Sequence, residues 1–106
     1  MALTNRADAF PSVVTGSWTS AACPALQTEN IGFQPSMVWV IVDYNATAPE
    51  FYIQHAGGSA VNTHLINHDT TQLLTTQTAI VITSTGFTFT AADQNANGVN
   101  VYVAFR

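Results

Sequence analysis

The chain has 106 residues, 47% of them hydrophobic and only 8% charged, with a formal net charge of −4. It contains no lysine, and its two arginines, Arg6 and Arg106, sit at opposite ends. Nucleic acid and an anionic membrane surface are thereby excluded as partners, because both require clustered Lys or Arg.

The length suits one domain. A free-standing monomer usually keeps itself soluble with mixed surface charge, so a surface this poor in charge is expected to be covered largely by other subunits. The longest apolar run, residues 37–42, is far short of the roughly 20 residues that span a bilayer. Residues 1–6 lack the basic region and apolar stretch of a signal peptide. Cys23 is the single cysteine, which rules out an intrachain disulfide and reads as a small buried side chain. Synthesis and folding in a reducing cytoplasm are expected.

Residues 1–10 read as a polar arm with Leu3 and Phe10 as isolated apolar anchors, closed by Pro11. Residues 12–19 form a possible first strand, interrupted at Gly16. Residues 21–30, which contain Pro24, read as a connection with one helical turn. The first strong strand is Met37-Val38-Trp39-Val40-Ile41-Val42-Asp43-Tyr44, in which both alternating sets are apolar. Such a strand is covered on both faces, by the core on one and by something else on the other. Trp39 is expected to be buried there.

Residues 45–49 form a turn. Residues 50–55 form a strand with Phe51 and Ile53 on one face and Tyr52 and Gln54 on the other. Gly57-Gly58-Ser59 breaks it, and residues 60–66 resume as a strand. Residues 72–84 are Thr-rich and β-branched around Ile80-Val81-Ile82, and read as one element. Gly86-Phe87-Thr88-Phe89-Thr90 alternates cleanly and points both phenylalanines inward. Asn97-Gly98 suits a hairpin turn, and the last strand sets Val99, Val101, Val103 and Phe105 on one face. Tyr102, opposite them, suits a sheet edge with its hydroxyl in water. No window of eleven residues or so carries helical periodicity. The expected fold is all-β, an antiparallel β-sandwich (jelly-roll-like) with an irregular N-terminal arm. The arm and possible first strand occupy residues 1–20, and the sandwich domain residues 21–106.

Little in the chain suggests catalysis or metal binding. His64, His68 and Asp69 have metal-ligand spacing only on a helix; in an extended segment that spacing separates the two rings by about 13 Å. His55 could approach from a neighbouring strand, but surface or interface histidines are expected, and no metal or cofactor is assigned. Asp43 and Glu50 flank one turn and read as solvated caps rather than a glycosidase pair. Ser59 lacks the strand–elbow–helix setting of a nucleophile, and Asn45-Ala46-Thr47 is a glycosylation sequon by pattern alone. The protein is not expected to be an enzyme.

Gly32-Phe33-Gln34-Pro35, running into Met37-Val38-Trp39-Val40, resembles a signature of small β-sandwich modules in tailed-phage virion proteins. Gly86-Phe87-Thr88-Phe89, Asn95-Ala96-Asn97-Gly98 and Val101-Tyr102-Val103-Ala104-Phe105 resemble their closing hairpin, and the pair of motifs is also similar to H-type lectin-like sandwiches. The resemblance covers residues 31–106. Such modules usually end a long fibre chain, whereas here one opens at Met1 behind a short arm. The resemblance therefore implies a small stand-alone virion protein, a capsid decoration (cement) protein made in the host cytoplasm. Its expected partners are the major capsid protein and copies of itself, with a trimer favoured, and Leu3, Arg6, Phe10 and Trp18 are the expected contacts. The alternative is an H-type lectin-like receptor-recognition module, with a glycan bound by Tyr44, Tyr52 and His55 beside Asn45 or Asn62.

Overall fold

A computed structural model describes residues 12–19, 26–42, 50–57, 63–67, 75–77, 79–90 and 98–106. Nine strands follow in chain order: β1 (Val13–Thr19), β2 (Gln27–Asn30), β3 (Met37–Val42), β4 (Glu50–His55), β5 (Thr63–Asn67), β6 (Thr75–Gln77), β7 (Ile80–Ile82), β8 (Gly86–Phe89) and β9 (Val99–Phe105). They form a six-stranded sheet ordered β1-β9-β3-β4-β5-β6 and a three-stranded sheet ordered β2-β8-β7. Every pairing is antiparallel. The two sheets pack as an all-β sandwich, and no helix occurs among the described residues.

The core lies between the sheets. Val38, Val40 and Val42 of β3, Tyr52 of β4, and Tyr102 and Ala104 of β9 meet Ile80, Phe87 and Phe89 from the smaller sheet. The alternation of β8 does as expected, since both phenylalanines are fully buried. Their rings pack edge-on, Phe89 against Tyr52 at 5.1 Å and Phe87 against Tyr102 at 5.1 Å between centroids. These are favourable edge-to-face geometries.

Both ends of this layer are fastened by polar groups. On the β5 side, the Thr63 hydroxyl donates to Gln54 Oε1 at 2.7 Å and accepts the Ile80 backbone N–H at 3.1 Å. One buried hydroxyl thus joins β4, β5 and β7. Losing it would leave a buried donor and a buried acceptor unsatisfied, each costing about 1–3 kcal/mol. On the β1 side, the Tyr102 hydroxyl bonds Glu29 of β2, which also accepts from Gln27 Nε2. Burial, the Glu29 charge and this bond together push the Tyr102 phenol above its ordinary range.

Several sequence expectations need correction. Gly16 does not interrupt β1, which pairs with β9 along its whole length. A side chain there would stand 2.5 Å from the Tyr102 ring, so the glycine makes a slot for that ring. Tyr102 itself lies in the core at 7% exposure, because β9 sits between β1 and β3 rather than at an edge. Residues 27–30 form a strand rather than a connection, while residues 20–25 lie outside the described residues. The single element expected over residues 72–84 is two strands, β6 in the large sheet and β7 in the small one. Nor do β8 and β9 make a hairpin, since they belong to different sheets.

The Gly32–Pro35 motif has a structural role. Gly32 adopts φ of 88°, the region glycine favours, and the Ile31 and Gly32 N–H groups both bond Thr85 O. Pro35 is fully buried, and Phe33 lies beneath the Arg106 guanidinium at 4.8 Å. Ser36 then donates its N–H to Phe105 O at 2.6 Å, tying the start of β3 to the end of β9.

Candidate functional site

The six-stranded sheet has a second face, turned away from the smaller sheet. Residues of a strand alternate between faces, and the buried set of each central strand fixes which set points out. With Val38, Val40 and Val42 inward, Met37, Trp39 and Ile41 point outward. With Tyr52 and Gln54 inward, Phe51 and Ile53 point outward. With Asn100, Tyr102 and Ala104 inward, Val99, Val101, Val103 and Phe105 point outward.

Register brings these nine side chains into one continuous surface. Trp39 stands opposite Val103 on one side and Ile53 on the other. Ile41 stands between Val101 and Phe51, and Met37 opposite Phe105. The Trp39 ring packs against Phe105 at 4.8 Å and Phe51 at 5.6 Å between centroids. All nine are half-buried, and none is charged. The edge strand β1 adds exposed Val13, Thr15, Ser17 and Thr19 to the same side. Large uncharged apolar patches are uncommon on soluble monomers and are characteristic of interaction sites in general.

Two polar atoms sit in this surface without hydrogen-bond partners. The Trp39 indole Nε1 and His64 Nδ1 are the buried side-chain polar atoms without one among the described residues. Both belong to one cross-strand row, running Val103–Trp39–Ile53–His64. A buried unsatisfied polar atom costs about 1–3 kcal/mol.

The structure places the expected site residues differently. Trp39 lies on the outer face instead of in the core, half-buried rather than enclosed. Trp18 points inward from β1 and packs against Phe89 at 5.7 Å and Tyr102 at 6.3 Å. Tyr52 is fully buried and its hydroxyl donates to Glu50, so it offers no ring to a sugar. His55 is exposed, its Nδ1 3.0 Å from Ala56 O. The structure therefore does not bring Tyr52 and His55 together into a binding surface. Leu3, Arg6, Phe10, Tyr44, Asn45, Asn62, His68 and Asp69 lie outside the described residues. No cluster of three or more metal-ligating side chains occurs among the described residues.

Sequence reasoning saw that the 37–42 segment has two apolar faces but missed the contribution of β4 and β9. No local signal marked β9 as a contributor, because its outward set, Val99, Val101, Val103 and Phe105, is more apolar than the buried set Asn100, Tyr102 and Ala104 and reads as the core face. Comparison with protein families, curated proteins and solved structures gives no match for this chain.

Proposed function

We propose that this protein is a non-catalytic structural subunit of a bacteriophage virion, a decoration protein that stabilises the capsid shell by bridging capsomers. The observation that carries the reading is the uncharged apolar outer face of the six-stranded sheet. A chain that leaves such a face in water gains little from monomeric life. It gains much from burial against neighbours, at about 25 cal/mol per Å². The shortage of charge across the whole sequence supports the same reading. The choice of the capsid as the setting rests on the resemblance of residues 31–106 to phage virion modules.

Binding only to the assembled shell would raise its stability by mass action, since every occupied site must be vacated before the capsomers separate. The glycan-binding alternative loses weight because Tyr52 is enclosed in the core.

Co-sedimentation with mature phage capsids lacking this protein tests the proposal. Stoichiometric pelleting, saturating at the number of three-fold or quasi-three-fold positions of the shell, is the expected result. A folded protein that stays in the supernatant at every concentration would overturn the capsid assignment.

A further inference from the structure

We infer that the free edge of β1 binds an extended, uncharged segment of a partner protein, which joins the six-stranded sheet as a seventh strand. This contact does not depend on the capsid reading, since what β1 recognises is an extended backbone and not a shell.

The sheet edges are not alike. The edge strands β6 and β7 have three residues each and β2 has four, Glu29 among them, whereas β1 has seven and carries neither charge nor proline. Its register with β9 runs from Val13 to Thr19 without a bulge. Short length, charge, proline and bulges are the devices that keep a sheet edge from pairing with another chain, and β1 has none of them. Among the described residues no strand pairs with its far side.

The ladder shows which backbone groups stand open. Arg106 donates its N–H to Ser12 O at 2.9 Å, one step beyond the Val13–Phe105 pair. Hydrogen-bonded and non-bonded pairs alternate along an antiparallel ladder. Val14, Gly16 and Trp18 therefore bond β9, while Val13, Thr15, Ser17 and Thr19 turn their N–H and C=O groups away from it. The other side of β9 agrees, because Phe105 O accepts the Ser36 N–H at 2.6 Å and so faces β3, not Val13. The open groups recur every second residue, about 6.8 Å apart. A peptide backbone in the extended conformation offers the matching row, and strand addition is the recognition mode that uses it.

Side chains narrow the chemistry of the occupant. Thr15 and Ser17 are small and exposed beside Val103 and Val101 of β9, so the outer face steps down at β1. A second β1, paired antiparallel across Gly16, would set Thr15 against Ser17 and leave the step unfilled. A strand with a bulky apolar group at every second position fills it. On the inner side, half-buried Val14 and Trp18 offer apolar contact to the alternate positions.

The probe is a blocked heptapeptide alternating phenylalanine and threonine, with two appended lysines for solubility, titrated into the full-length protein. Residue-resolved amide hydrogen exchange is the readout. In the free protein the Val14, Gly16 and Trp18 amides should exchange slowly and those of Thr15, Ser17 and Thr19 fast. Saturating peptide should slow the second set at least about tenfold. Ser17→Pro removes an N–H that no β9 bond uses, so it should fold as wild type and lose this protection. Thr15→Lys, which sets a charge beside the incoming strand, should lose it too and decides the matter if the proline variant does not fold. Val81→Lys, on the β7 edge of the smaller sheet at 44% exposure, should leave binding intact. Slow Thr15 and Ser17 amides in the free protein would overturn the inference, because another copy or another part of this chain then fills the edge. So would the absence of any slowing with peptide, or slowing that survives the β1 variants. Peptide binding without capsid pelleting removes the decoration reading alone, and pelleting without peptide binding removes this one alone.

Discussion

Gly86→Ala is expected to destabilise the fold by about 3 kcal/mol or more, the upper range of overpacking substitutions. Gly86 opens β8 directly opposite Asn30 of β2. A Cβ there would press into the Glu29 carbonyl oxygen and stand 3.2 Å from Asn30 Cα. Both obstacles are backbone, so no side chain can rotate out of the way. The strand β2 would have to lift from β8, and two other features would go with it. The Ile31 and Gly32 N–H bonds to Thr85 O would stretch, and Glu29 would draw away from the Tyr102 hydroxyl. Small domains hold only about 5–15 kcal/mol in all, so the loss is a large share. Urea unfolding followed by circular dichroism measures it, and an unchanged midpoint would show that β2 does not approach β8 this closely.

Phe89→Ala should cost about 3–5 kcal/mol, the range for removing a fully buried phenylalanine. Phe89 is the side chain through which the smaller sheet grips both halves of the larger one. Its ring touches Trp18 of β1 at 5.7 Å and Tyr52 of β4 at 5.1 Å between centroids. The cavity left behind is walled by residues of both sheets and cannot close without bringing the sheets together. The variant should also move Trp18 emission to longer wavelength as its ring partner disappears. A loss below about 1 kcal/mol would mean that the sheets collapse around the gap.

The strands could be read from the sequence because strand formation depends on local alternation. The 86–89 and 50–55 segments carry that alternation plainly, and both phenylalanines of the first went inward as their spacing required. Sheet membership could not be read in the same way. Thr75–Gln77 and Ile80–Ile82 are separated by two residues, yet they join different sheets. Only the long-range pairing of β6 with β5 and of β7 with β8 decides that. Gly16 read as a break because its purpose, space for Tyr102, lies on a strand far away in sequence. Tyr102 and Tyr52 were misplaced for a related reason. A tyrosine can be buried wherever its hydroxyl finds an acceptor, and Glu29 and Glu50 supply one to each.

The outer face was half legible. A strand such as Met37–Val42, apolar on both sides, gives the expectation of a second apolar surface. It does not show how wide that surface is. The width comes from β3 lying between β9 and β4, which places Val101 and Phe51 on either side of Ile41. Which set of β9 faces out was hidden because its inner set, Asn100, Tyr102 and Ala104, is the less apolar of the two. Hydrophobicity alone would have turned the strand over. When both sides of a sheet are to be buried, the more apolar side can belong to the assembly rather than to the monomer's core.

The proposed role depends on burial of the outer sheet face against neighbours. Co-sedimentation of wild type, Val101→Lys and Val81→Lys with the same decoration-free capsids tests it most directly. Wild type and Val81→Lys are expected to pellet with the shell, while folded Val101→Lys remains in solution. Val101→Lys pelleting as fully as wild type would contradict this, because a charge on the outer face would then make no difference to capsid binding.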